Sequence, residues 1–260
     1  MRAARRVAES GFYHVVTRGN GKQIIFESDD DRAAFVKLLK ECTNAEGVSV
    51  IAWCLMDNHV HIILLDPDGR LSEVMRTLLT RYANRFNART GHVGHVFQER
   101  FYSEAIESDR QLLAAVRYVH LNPEKGGLCT ADKYRWSSYS EYVGSESAQL
   151  ARTEIVLDML QGPEGFISLI RESGDACAYV PRFGLMDEAD ALTVATDALL
   201  AAGLCAPGDV KGLSKPRRNK AIVVLSELGF SIRRIERVTG VGRGTIAYVL
   251  RREREKLSDE

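Results

Sequence analysis

Trp53-Cys-Leu-Met-Asp-Asn-His-Val-His-Ile-Ile-Leu-Leu65 sets two apolar runs around Asp57-Asn58, a pair suited to a tight turn. Val48–Met56 and His59–Leu65 are therefore expected to form a hairpin of buried strands. Side chains alternate between faces along a strand, so His59 and His61 point the same way, with one residue between them. Buried imidazoles need hydrogen-bond partners, which makes two of them costly at the end of an apolar strand. The pair reads either as half of a metal site or as two packed core histidines.

The flanking sequence sets the fold around this hairpin. Phe12–Arg18 is rich in β-branched and aromatic residues and reads as a strand, broken by Gly19-Asn-Gly21. Ser28 is placed to cap a helix running to about Glu46. Asp66-Pro-Asp-Gly69 ends the hairpin, and Leu71–Arg89 forms a long amphipathic helix carrying Arg76, Arg81, Arg85 and Arg89. After the loop Gly91-His-Val-Gly-His95 comes a strand at about Phe101–Ile106. A helix then runs from Arg110 to Leu121, where Asn122-Pro123 is expected to stop it. The order is β-α-β-β-α-β-α. Its first six elements match the split-βαβ, ferredoxin-like arrangement, an α+β fold with a four-stranded antiparallel sheet and helices on one face.

The chain has 260 residues, 45% of them hydrophobic, enough for one large domain or two smaller ones. No apolar run approaches membrane-spanning length, and Met1-Arg-Ala-Ala-Arg-Arg6 has no hydrophobic core behind its charges. A soluble, cytoplasmic protein with no membrane partner is expected. Cys42, Cys54, Cys129, Cys177 and Cys205 are scattered and odd in number, which suits a reducing compartment and argues against a zinc ribbon or a disulfide framework. The zero net charge hides an asymmetry. Residues 1–140 carry 19 basic and 17 acidic side chains, residues 141–210 carry 3 and 12, and residues 211–256 carry 13 and 4. Three regions are expected on this basis: 1–140 with the histidine pair, an acidic helical linker at 141–210, and a basic module at 211–260. The basic end points to a polyanionic partner.

A metal site needs more than two imidazoles, and it needs something to act on. Arg117-Tyr-Val-His-Leu-Asn-Pro123 supplies both. Tyr118 and Asn122 are four residues apart, so they share one helical face. Asn122 can offer an amide oxygen to a metal while Tyr118 presents its phenol beside it. A tyrosine hydroxyl near a divalent cation can attack a phosphodiester. Mg²⁺ can accept such a site, and Mn²⁺ suits two imidazoles and an oxygen better.

These blocks resemble a known family. Tyr13-His-Val-Val-Thr-Arg-Gly-Asn20, Met56-Asp-Asn-His-Val-His61, Gly94-His-Val-Phe-Gln-Glu-Arg-Phe101 and Arg117-Tyr-Val-His-Leu-Asn-Pro123 resemble, in order, the blocks of single-tyrosine HUH transposases, and most closely those of the REP-associated tyrosine transposases. The resemblance covers roughly residues 10–145. It implies His59, His61 and Asn122 as metal ligands and Tyr118 as the nucleophile that becomes joined to the 5′-phosphate of single-stranded, hairpin-forming DNA. Residues 1–140 would then be the catalytic domain, and the protein would work at the nucleoid. Relatives complete the site from one chain or from two, so monomer and homodimer both stay open.

Several neighbours have two readings. Arg18 with Asn20 can meet a phosphate or form an ordinary turn. Arg81, Arg85, Arg100 and Arg117 are candidate DNA contacts. His120 lies off the Tyr118 face and reads as structural or as a support for a ligand, and His14 reads as a packed core histidine. His92 and His95 lie in a polar loop.

Lys215–Leu228, Ser231–Val238 and Gly242–Arg254 read as three helices. The last two have the helix–glycine turn–helix form of a DNA-binding helix-turn-helix, with Ile232, Ile235, Val238, Val241, Ile246, Val249 and Leu250 as its core. Arg243, Thr245, Tyr248 and Arg251 stand where contacts to duplex DNA arise, and the segment resembles the DNA-binding module of bacterial replication initiators. The alternative is a basic bundle that only packs on the front domain. The chain as a whole reads as a metal-dependent DNA strand transferase, or alternatively as a domesticated, non-catalytic DNA-binding regulator. The same sheet topology also serves RNA recognition modules, but their exposed aromatic pattern is not evident here.

Overall fold

The computed structural model describes residues 8–98, 100–144, 150–172, 188–228 and 230–258. Strand β1 (Phe12–Arg18), helix α1 (Asp29–Ala45), strands β2 (Ser49–Met56) and β3 (His59–Leu65), helix α2 (Leu71–Thr90), strand β4 (Tyr102–Ile106) and helix α3 (Asp109–Lys125) follow in the expected order. The sheet runs β2-β3-β1-β4 with every neighbouring pair antiparallel, which is the ferredoxin-like arrangement. Ser28 and Asp31 form a reciprocal capping box at α1, and the Ser108 hydroxyl accepts from Gln111 N at the start of α3.

Strand alternation sorts the core into two layers. Tyr13, Val15, Val60, Ile62 and Leu64 turn to one face and pack with Phe35 and Leu39 of α1 and Val74, Leu78 and Tyr82 of α2. Ile63 turns to the other face, where Ile51, Cys54 and Met56 meet Leu112, Ala115, Val116 and Val119 of α3. Helices α1 and α2 share one face as expected, and α3 covers the opposite one. His59 and His61 alternate with Val60 and so belong to the α3 face.

Two features differ from the sequence expectation. Helix α3 does not stop at Asn122-Pro123 but continues to Lys125. Proline fits helical φ and removes only one bond here, the one its absent N–H would have made to Val119 O. Gly126 N to Asn122 O and Leu128 N to Pro123 O, both 2.9 Å, carry the chain through the turn. Residues past 140 also do not form a separate linker. Helices α4 (Tyr139–Tyr142), α5 (Glu154–Leu160) and α6 (Pro163–Arg171) bring Tyr139, Tyr142, Val156, Phe166 and Ile170 into the α3 core. The buried Glu141 carboxylate accepts from Trp53 Nε1 and from the backbone of Leu150 and Ala151, which ties this segment to β2. The chain divides at Tyr179/Val180 rather than near 140 and 210.

The second unit contains α7 (Glu188–Ala201), α8 (Lys215–Glu227), α9 (Ile232–Thr239) and α10 (Arg243–Ser258). Ile235, Val241, Ile246 and Val249 are buried with Leu199, Ile222, Leu225 and Phe230, while Val238 and Leu250 are partly buried against them. Ile232, expected in this core, is exposed because it is the first residue of α9. Gly240, with φ of +67°, ends α9 and allows the sharp turn into α10. Among the described residues no helix is long and apolar enough to cross a membrane. Cys42, Cys54, Cys129 and Cys205 are free thiols, and Cys177 lies outside the described residues.

Candidate active site

The β1–β3 register places Arg18 opposite His59 and Val16 opposite His61, which puts His14 one step along the same face. Gly19 fixes the end of β1. Its N–H donates to Asn58 O at 2.9 Å, and a Cβ there would stand 2.2 Å from Gln23 O, so no larger residue fits. Gln98 N donates to Arg18 O and Asn20 N to Val96 O, both at 2.9 Å, joining the Gly94–Phe101 block to the same strand end. The four sequence blocks thus meet at one edge of the α3 face.

The aromatic rings converge there. His59 and His61 lie with ring centroids 5.0 Å apart, His61 and Tyr118 at 5.5 Å, and His14 and Tyr118 at 5.8 Å. His14 stacks on His61 at 5.2 Å, with 3.0 Å between His14 Nε2 and His61 Nδ1. His59 Nδ1 lies 2.7 Å from Asn58 Oδ1. The Asn58 amide nitrogen donates to Lys22 O, so its oxygen faces His59 and can only accept. His59 therefore carries its proton on Nδ1 and leaves Nε2 bare. Asn122 Nδ2 donates to Tyr118 O at 2.8 Å, which leaves Oδ1 as the free end of that amide. Two imidazole nitrogens and one amide oxygen are a donor set that a Mn²⁺ or Mg²⁺ ion accepts. Among the described residues no three His, Cys, Asp or Glu side chains group as a metal site.

The site is electropositive. Lys125 Nζ stands 4.2 Å from the centre of the Tyr118 ring. Burial is the main reason His61 is held well below the usual imidazole range. The fields of His59, His14, Lys125 and Arg18 push it in the same direction. Burial likewise takes His14 down to about 3. Both rings are neutral at pH 7, the form a ligand imidazole requires.

A sequence profile of the IS200-like transposases matches residues 8–122. The match covers less than half of the chain. The stretch contains every residue of the ring cluster except Lys125. Solved structures are also similar to this chain, two of them as follows. One is a REP-associated tyrosine transposase bound to a REP hairpin: 19% identity, TM-score 0.47, covering 58% of this chain and 90% of that one. The other, assigned as a transposase from Deinococcus radiodurans R1, is 14% identical with TM-score 0.34, covering 50% of this chain and 99% of that one. No curated protein sequence matches the chain.

The fold packs His59, His61 and Tyr118 together, with Arg18 opposite His59 and Asn122 one turn beyond Tyr118 on α3. Other expected site residues lie outside this ring cluster. Arg117, one residue from Tyr118 and so turned about 100° around α3, donates to Leu169 O at 2.9 Å and to Glu172 O, tying down the end of α6. Arg81 pairs with Glu41 at 2.7 Å, on the helix pair across the sheet from Tyr118, and Arg85 is exposed on the same helix α2. Arg100 lines a groove of about 700 Å³ between α2 and residues 94–101, and Asn20 is exposed beside that segment. His120 is structural. Its Nδ1 donates to Val116 O and its Nε2 meets Ser138 Oγ, both at 2.9 Å, inside a box of Tyr139, Tyr142 and Phe166. The Tyr82 hydroxyl is buried on Ile25 O, away from the cluster. In the second unit Thr245 and Tyr248 are exposed on α10, Arg251 and Arg252 lie 6.0 Å from the Tyr248 ring, and Arg243 pairs with Glu236.

Sequence reasoning passed over Lys125, Asn58 and the partnership of His14. Lys125 lies two turns beyond Tyr118, a signal hidden by ending the helix at Pro123. His14 needed the β1–β3 register.

Proposed function

We propose that this transposase is a metal-dependent single-strand DNA transferase that works through Tyr118. The observation that carries this reading is the packing of the Tyr118 ring against His61, itself beside His59, with Asn122 one turn further along the same face of α3. His59, His61 and Asn122 would hold a divalent cation, which would supply positive charge at the scissile phosphate. The Tyr118 hydroxyl oxygen attacks phosphorus. As that bond forms, the bond from phosphorus to the 3′ oxygen breaks, and water passes the phenol's proton to the departing oxygen. The products are a 5′-phosphotyrosine and a free 3′-OH, and reversal with a second strand rejoins DNA.

Arg18 and Lys125 carry positive charge to the ground where the phosphate has to sit. Thr245, Tyr248 and Arg251 on α10, with Arg243 at its start, offer a separate surface for duplex DNA. The test is incubation with hairpin-forming oligonucleotides and Mn²⁺ or Mg²⁺, followed by a denaturing gel. REP-type hairpins, the DNA captured with one similar solved transposase, are the first substrates to try. A covalent adduct is expected with wild type and not with Tyr118→Phe. An adduct that survives Tyr118→Phe refutes the assignment. Tight duplex binding without any adduct favours the regulator reading.

A further inference from the structure

We propose that His14 is a positioning residue of this site: it accepts the Nδ1–H of His61 and so turns the bare Nε2 of His61 toward the metal. The proposal rests on the metal reading above and adds a residue to it. The two rings are fully or almost fully buried, stacked, and 3.0 Å apart between His14 Nε2 and His61 Nδ1. A neutral imidazole has one N–H and one bare nitrogen, so a nitrogen–nitrogen contact at this distance has one donor and one acceptor. If His14 donates, the His61 proton sits on Nε2 and that nitrogen cannot bind a metal. If His61 donates, its Nε2 is bare and His14 holds its own proton on Nδ1. Only the second arrangement makes His61 a ligand.

The second ligand histidine is held in the same way. Asn58 Oδ1 takes the Nδ1–H of His59 at 2.7 Å, so both ligands would be locked through Nδ1 by a neighbour. Burial means that no water can substitute for His14 on the His61 ring. His14 also sets its edge against Tyr118 at 5.8 Å, so one side chain braces the ligand and the nucleophile together. Its place follows from the register: His14 pairs with Ile63 on β3, two residues beyond His61 and on the same face.

The test compares wild type with His14→Phe, which keeps a ring but no acceptor, and His14→Gln, which restores an acceptor oxygen. Long-range proton–nitrogen spectra of the metal-free protein report which nitrogen of each histidine holds its proton. Titration with Mn²⁺ reports affinity. Wild type is expected to show His61 protonated on Nδ1. His14→Phe is expected to lose that signature and to bind Mn²⁺ about 10- to 100-fold more weakly, with His14→Gln recovering most of the loss. His61 protonated on Nε2 in wild type, or full Mn²⁺ affinity in His14→Phe, overturns the proposal and leaves the metal reading intact. Wild type that binds no Mn²⁺ overturns the metal reading itself. If His14→Phe fails to fold, the wild-type spectrum and His14→Gln still decide.

Discussion

His120 sets a pH limit on the first unit that can be isolated by a single substitution. Burial lowers its pKa from 6.5 to about 4, so it stays neutral in the folded state while the unfolded chain takes up a proton. The folded value lies below the unfolded one. The stability His120 contributes is therefore complete above about pH 6.5 and is lost as pH falls toward 4. The slope approaches 1.36 kcal/mol per pH unit, so between pH 7 and pH 5 this residue alone should remove about 2 kcal/mol. Replacing His120 by Phe abolishes that titration. The variant should be less stable at pH 7, because it loses the hydrogen bonds to Ser138 and Val116. The gap between wild type and variant should then shrink by about 2 kcal/mol at pH 5. His14 and His61 titrate in both proteins and cancel from the difference. Trp53 and Trp136, the two tryptophans, both lie in the first unit, so urea unfolding followed by tryptophan fluorescence reads that unit alone. A gap of equal size at pH 7 and pH 5 would refute the reasoning.

Three further outcomes are expected. Lys125→Ala should slow formation of the Tyr118 adduct by about 10- to 100-fold in single-turnover gels, with Lys125→Arg close to wild type, because a cation near the phosphate is lost in one and kept in the other. Arg117→Ala should cost about 1–2 kcal/mol in urea unfolding through its two carbonyl bonds, yet leave the salt dependence of DNA binding unchanged in anisotropy titrations. Arg251→Ala and Arg252→Ala should each lower the slope of log affinity against log salt by about 1 for duplex DNA; unchanged slopes would remove α10 from the DNA surface.

Much of the first unit is legible in local pattern. Asp57-Asn58 between two apolar runs sets the hairpin, Ser28 with Asp31 starts α1, and the switch from period 2 to period 3.6 orders the elements. His59, His61, Tyr118 and Asn122 are legible because strand alternation and helical i,i+4 spacing are both local rules. The carbonyl partners of Arg117 and the carboxylate partner of Arg81 were not legible, because charge in a sequence does not say what waits nearby. Glu141 and Phe166 looked like parts of an acidic linker, since nothing in residues 141–171 shows that β2 and α3 need a cover.

The sequence by itself determined the α+β order, the facing of the histidine pair, the tyrosine two helices later and the basic end. Each of these follows from spacing along a strand or helix. Only the tertiary structure decided which groups meet those imidazoles. Register brings His14 onto His61, the turn brings Asn58 onto His59, and the passage of α3 through Pro123 brings Lys125 over Tyr118. Hydrogen-bond partners and nearby charge come from residues far apart in the chain or beyond an apparent stop, and they decide whether two imidazoles are packing or ligands.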